Sequence, residues 1–252
     1  TDDGWDFHDL TAYHFDTEKL AKVFYDVCLR NGVEFVDDKY IRANQSDDGS
    51  IVSLKCENGT HEADLFVDCT GFHSELLGKV MGVHYNSYAN TLINHRAIAA
   101  KIPYTDKNKQ LTSYTNNVTM NNGWCYEIPL WDGLSVGYVH SLKFTTESSI
   151  EKEFTDRYGI EPSKGVEFRT GRYDKAWVKN VASVGLSFGF IEPLEATGLA
   201  SIVTNVFRLL ESLSTNLSPN SFDRQVFNHA CATELDNSKT FIDMHYATSH
   251  KS

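Results

Sequence analysis

The sequence predicts a mixed α/β fold: a sheet with buried strands, a second, antiparallel sheet and a helical C-terminal part. Two short apolar runs, Leu65 to Asp68 and Val181 to Val184, lack alternation and read as buried strands that each lead into a glycine-bearing loop. Between them, residues 92 to 141 are β-rich segments separated by turn residues. Beyond Gly198 the apolar residues take up helical spacing.

Taken in order, residues 1 to 15 carry little periodicity, and Leu20, Val23, Phe24 and Val27 then mark one face of a helix over Thr17 to Arg30. Asp16 or Thr17 can cap this helix and Gly32 can end it. Val33 to Val36 reads as a short strand, and Ile51 to Cys56 as a strand of a small meander between the turn clusters at 46–50 and 57–60. Strands are expected at Leu92 to Ile102, Leu111 to Met120, Trp124 to Leu130 and Leu134 to His140, with consecutive strands as antiparallel neighbours. Glu147 to Tyr158 is a helix closed near Gly159, and Val166 to Tyr173 a strand. Leu199, Ile202, Val203, Val206, Leu209, Leu210 and Leu213 line a helix of about four turns. A last helix runs from about Phe222 to Tyr246 behind Ser218-Pro219. Its Phe227, Phe241, Met244 and His245 are candidates to face a substrate, with helix packing as the plainer role.

Composition narrows the function. With 252 residues and 41% hydrophobic content the chain can build one large domain, or a sheet domain over 1–198 with a helical region over 199–252. A net charge of −11 argues against nucleic acid and against an anionic membrane surface. The five cysteines are scattered and odd in number, which points to reduced thiols and a cytoplasmic setting. No cluster has metal-ligand spacing: His8 and His14, like His245 and His250, lack an accompanying motif, so no metal is expected.

The chemistry concentrates in residues 184–199, a strand end, a loop and a helix start. A helix start offers unpaired N–H groups and positive potential to an anion or to the electron-rich edge of a cofactor. Glu192 and Glu195 sit in this otherwise apolar loop, where a carboxylate must be paired, hydrogen-bonded or used.

The string Phe190-Ile191-Glu192-Pro193-Leu194-Glu195-Ala196-Thr197-Gly198 resembles the Glu-Pro-Leu-Glu-Ser-Thr-Gly loop of the flavin-dependent tryptophan halogenases. Three further segments fall in that family's order: Ala12 to Asp16, Asp64 to Phe72 and Gly123 to Pro129. The resemblance implies a flavin monooxygenase/halogenase-like fold in which FAD, reduced by a separate flavin reductase, works with oxygen and chloride or bromide to give hypohalous acid. A small aromatic substrate, tryptophan or indole-like, is then halogenated. It also implies roles. The N–H groups of Thr197 and Gly198 would bind halide, Leu186 and Leu199 would touch the flavin, and Thr70 and Gly71 would lie beside its nucleotide half. Lys39 would meet the adenine through its backbone, and Glu195 would stabilise the cationic ring intermediate and help remove its proton. Glu192 is expected to be structural, accepting backbone hydrogen bonds within the loop. Trp124, Tyr126 and Pro129 match the family's Trp-x-Trp-x-Ile-Pro, with Tyr126 in place of the second Trp, and would shape the cavity unless they are simply core aromatics. Ala196 replaces the family's usual Ser.

No Gly-x-Gly-x-x-Gly occurs, and the family's catalytic lysine precedes the Ala-Tyr-His segment, so Lys79 is not its counterpart. The expectation is a later part of a longer protein. A related FAD-dependent monooxygenase or reductase, and a non-catalytic flavin- or partner-binding remnant, stay open as alternatives, as does assembly into a homodimer.

Overall fold

A computed structural model describes residues 12–215 and 218–248; His8 and His250 lie outside them. In chain order the elements are α1 (Thr17–Arg30), β1 (Tyr40–Gln45), β2 (Ile51–Cys56), β3 (Thr60–Glu62), β4 (Phe66–Asp68), β5 (Tyr85–Ser87), β6 (Arg96–Ile102) and the single turn α2 (Lys107–Gln110). Next come β7 (Asn116–Met120), β8 (Gly123–Leu130), β9 (Gly133–His140), α3 (Glu147–Tyr158), β10 (Val166–Glu167), β11 (Gly171–Tyr173), β12 (Trp177–Val178), β13 (Val181–Ser183) and β14 (Gly189–Phe190). Two helices, α4 (Thr197–Thr215) and α5 (Ser221–Thr248), close the chain. The described residues fall into two compact units, one drawn from those up to Val36, Ala97–His140 and Phe144–Gly165, the other from Asp37–Arg96, Ser141–Lys143 and those from Val166 onward.

In the first unit α1 starts where the sequence places it, because the Asp16 carboxylate accepts the N–H groups of Glu18 and Lys19 at 3.1 and 3.2 Å. Its expected core face is not buried: Val23, Phe24 and Val27 are exposed and no residue of the helix is fully covered. Residues 33–36 are not a strand, since a strand exists only through a pairing neighbour and none pairs with them among the described residues. The sheet runs in the order β6-β9-β8-β7. β7, β8 and β9 are successive antiparallel neighbours joined by tight turns, with Trp124 opposite both Thr119 and Val139. β6 departs from the expected order and lies beside β9, because the connection to β7 holds α2 and is no hairpin turn. α3 buries Ile150 and Phe154 completely, and its Glu153 accepts the Tyr138 hydroxyl at 2.8 Å.

In the second unit β1, β2 and β3 form the expected meander. The two apolar runs meet: β4 and β13 pair in parallel, Val181 opposite Phe66 and Ser183 opposite Asp68, with β12 antiparallel on the far side of β13. β13 is buried on both faces, as its lack of alternation predicts, whereas β4 buries Phe66 and Asp68 but leaves Val67 exposed, so only one of its faces is covered. The expected strand over 166–173 is two short strands, β10 and β11, and β11 sits between β14 and β5.

The core of this unit gathers Leu77, Trp177, Phe188 and Leu209 with one face of α5, where Phe227, Cys231, Leu235 and Ile242 recur at helical spacing. α5 is also pinned by polar contacts. The Asn228 side chain accepts the N–H groups of Ala176 and Trp177 at 2.7 Å, and the Arg172 guanidinium reaches Asp236 at 2.7 Å. On α4 the sequence stripe is only partly right. Leu209 is buried together with Ser201 and Asn205, whereas Leu199, Val203, Val206 and Leu210 are exposed. No helix among the described residues is long and apolar enough to cross a membrane.

Candidate functional site

Two turns carry the residues singled out by the sequence. The first follows β4. Asp68 is fully buried, and its carboxylate accepts the Thr70 N–H and hydroxyl at 3.0 and 2.6 Å and the N–H groups of Leu76 and Leu77 at 2.9 and 2.8 Å. Thr70 in turn accepts the Glu75 N–H at 2.8 Å. Such a carboxylate substitutes for water at a helix start and locks the chain reversal. Gly71 has φ +66°, a conformation costly for other residues, and a Cβ added there would meet nothing within 4 Å. The turn therefore needs its glycine and leaves open space beside it.

The second turn is reached through residues 185–190. Gly185 has φ +72° and faces Ile202 of α4, while a Cβ at Gly189 would come within 2.7 Å of Leu235 of α5. This loop is thus held close against both helices. At its end Ala196 takes the left-handed conformation, φ +51°, which costs an alanine about 1 kcal/mol. α4 begins at the next residue, so Thr197 and Gly198 supply its first N–H groups, which have no partner within a helix. Thr197 Oγ1 is buried and makes no hydrogen bond, and a Cβ on Gly198 would meet nothing within 4 Å. Gly185, Gly189, Thr197, Gly198, Ile202 and Leu235 line a cavity of about 40 Å³, enough for one or a few water-sized particles. A small cavity with a helix start, an unsatisfied hydroxyl and apolar walls suits a compact anion such as a halide. Leu186 and Leu199 are exposed beside it, with apolar surface to offer a flat ligand.

The two loop carboxylates are each held by side chains distant in sequence. Glu192 is fully buried, and its carboxylate accepts the Asn94 amide at 2.9 Å and the Tyr246 hydroxyl. The Asn94 amide also donates to the Tyr246 hydroxyl oxygen at 2.9 Å. Glu195 is half-exposed and its Oε1 lies 2.9 Å from Nε2 of His245. Consecutive residues at the end of α5 therefore grip the two carboxylates. Asn94 and Tyr246 carry no motif that would single them out, and His245 gives no sequence sign of its partner.

The remaining candidates are placed as follows. The Lys39 N–H donates to the Asp38 carboxylate at 2.9 Å, its carbonyl accepts the Glu57 N–H at 3.0 Å, and its ammonium pairs with Glu57. Trp124 and Pro129 are buried in β8, and the Tyr126 ring lies against Gly137, where an added Cβ would overlap it. These three belong to the first unit, whereas Lys39, Thr70, Gly71, Leu186, Glu195, Thr197, Gly198 and Leu199 all belong to the second. Asp38, Cys56 and His61 bring possible ligand atoms within 4.8 Å of one another. Asp38 already accepts the N–H groups of Lys39 and Asn58, so the trio reads as a turn lock. The cysteines are all unpaired, and burial pushes the thiols of Cys125 and Cys231 up to about 12, so they are inert neutral side chains.

Comparison with known proteins matches this geometry to a family. Residues 9–252 match the tryptophan halogenase family. The tryptophan 7-halogenase KtzQ of Kutzneria sp. (strain 744) is 34% identical over 245 residues, 94% of this chain and 46% of KtzQ. The apo structure of VirX1 superposes with a TM-score of 0.92 at 32% identity, covering 96% of this chain and 48% of VirX1. Tar14, a tryptophan C-6 flavin-dependent halogenase from taromycin biosynthesis, gives a TM-score of 0.88 at 30% identity, covering 95% of this chain and 48% of its own. The chain thus spans about half the length of the relatives it matches. Over that span it belongs to the tryptophan halogenase family.

Proposed function

We propose that this chain supplies the halide site and the catalytic carboxylate of a flavin-dependent halogenase acting on tryptophan or an indole-like aromatic. The observation that carries the proposal is the start of α4, where a buried, unpartnered Thr197 hydroxyl and an uncovered Gly198 line a small cavity. Reduced FAD, delivered by a separate flavin reductase, supplies together with oxygen the oxidising power that turns halide into an electrophile. The N–H groups of Thr197 and Gly198 hold the halide, with the helix dipole adding attraction. Leu186 and Leu199 give the flavin an apolar contact, and Gly71, with open space beyond it, gives its nucleotide half close approach to the backbone. Lys39 offers the adenine the second lone pair of its carbonyl, the first being taken by Glu57.

Glu195 is the carboxylate placed for the aromatic ring. A negative group beside developing positive charge lowers the barrier to ring attack and then accepts the ring proton. α4 and α5 form the substrate side. The unpaired cysteines fit a reducing cytoplasm.

The test is mass spectrometry of products from the full-length protein supplied with FAD, a flavin reductase, NADH, oxygen, bromide and a panel of indoles and phenols. A product with the paired bromine isotopes, lost in Glu195→Gln with flavin binding intact, is the expected result. Oxygenated product without bromine would assign the chain to a monooxygenase instead.

A further inference from the structure

We propose that His245 is the positioning residue for Glu195: its imidazole fixes the carboxylate in the orientation the reaction uses. The inference rests on the reading of Glu195 as the reacting carboxylate. His245 Nδ1 lies 2.8 Å from the Phe241 carbonyl, and a carbonyl oxygen only accepts, so Nδ1 carries a proton. Nε2 lies 2.9 Å from Glu195 Oε1. Two lone pairs do not approach so closely, so a proton also bridges Nε2 and the carboxylate. Each ring nitrogen is thereby committed to one partner, and the ring cannot flip without losing both bonds.

Its neighbours remove the remaining freedom. The Phe241 ring stands nearly perpendicular to the imidazole, at 80° and 4.7 Å between centroids. The following residue, Tyr246, donates to Glu192, which Asn94 holds from a separate segment. One helix turn thus sets both carboxylates of the loop, and between Glu195 and the helix start stands Ala196 in its left-handed conformation. A strained residue persists only where its surroundings over-determine it, and the grip of α5 on both sides of Pro193 and Leu194 provides that. The Glu195–His245 pair is itself partly exposed, 42% and 32% at the side chains, and exposed pairs contribute little to stability. What the contact gives is direction. Misplacing a catalytic group by one ångström costs on the order of 100-fold in rate.

The test compares His245→Asn, His245→Gln and Glu195→Gln in the full-length halogenation assay. Asparagine can reach the Phe241 carbonyl but not Glu195; glutamine can bring an amide N–H to where Nε2 stood. His245→Asn should lower kcat by about 10- to 100-fold with KM for the aromatic changed little, and His245→Gln should recover most of the loss. Adding His245→Asn to Glu195→Gln should cost nothing further, because the group being positioned is already gone. His245→Asn turning over normally while Glu195→Gln is inactive would overturn the positioning role and leave the carboxylate's role standing. Equal losses in the Asn and Gln variants would also overturn it. Normal turnover of Glu195→Gln would instead remove the reading underneath.

Discussion

β4 and β13 lie side by side and each leads into a glycine-bearing turn, yet the two turns are finished in opposite ways. After β4 the polar groups close on themselves: Asp68 accepts four donors, and Thr70 both donates to it and accepts from Glu75. After β13 the loop ends with Thr197 Oγ1 buried and without a hydrogen bond, a residue in left-handed conformation, and a small cavity against the helix start. A buried polar atom without a partner is costly in a fold that exists only for its own sake. One turn satisfies its polar groups from within, and the other leaves a buried hydroxyl without a partner.

Substitutions can break that comparison. The largest effect belongs to Asp68→Ala, which strands several donors around a fully buried site and should cost about 3–5 kcal/mol in urea unfolding. A loss below about 1 kcal/mol would mean that the first turn is not the closed one. The helix that grips the open loop is anchored through Asp236, whose carboxyl the Arg172 guanidinium, followed by the Tyr88 hydroxyl, holds below its ordinary value of 3.8. A depressed carboxyl pKa contributes stability above the unfolded value, and that contribution is lost as pH falls through the folded one. Thermal melts should therefore show Asp236→Asn less stable than the unmodified protein at pH 6, with the gap closing as pH drops below about 4. A gap independent of pH would remove the charge from the anchor.

The two threonines give the sharpest contrast. Thr70→Val loses two hydrogen bonds at an exposed position and should cost about 1 kcal/mol. Thr197→Val removes a hydroxyl that bonds to nothing, so its unfolding free energy should stay within about 0.5 kcal/mol or rise. Equal losses at both sites would erase the distinction. Ala196→Gly should raise stability by up to about 1 kcal/mol by relieving the left-handed backbone, provided the extra freedom of the unfolded glycine does not offset it. A clear loss would show that the strain is not where the dihedral places it.

Much of the fold was legible in the sequence because local signals and packing agree there. Thr17–Arg30 and Glu147–Tyr158 are helices with those bounds, and the apolar runs Leu65 to Asp68 and Val181 to Val184 hold the strands β4 and β13. The errors fall where partners decide the outcome. Val33, Phe35 and Val36 have strand propensity but no strand beside them, and β6 chose β9 over the next strand in sequence. On α4 the pattern identified a helix but not the face that is covered, since Ser201 and Asn205 are buried where Val203 and Val206 are not. The candidate site was legible as a loop, through Glu195, Thr197 and Gly198. Its supports were not, because Asn94 and Glu192 are 98 residues apart, and Tyr246 and Glu192 are 54 apart. Side-chain pairs at such separations leave no periodicity to read.

The most direct measurement of the open turn is a crystal of the full-length protein grown with bromide and recorded at the bromine absorption edge. An anomalous peak against the Thr197 and Gly198 N–H groups, absent in crystals of Thr197→Pro, which lacks one of those donors, is the result expected here. An empty cavity at saturating bromide, with the ion bound elsewhere or not at all, would contradict the assignment of the α4 start as the halide site.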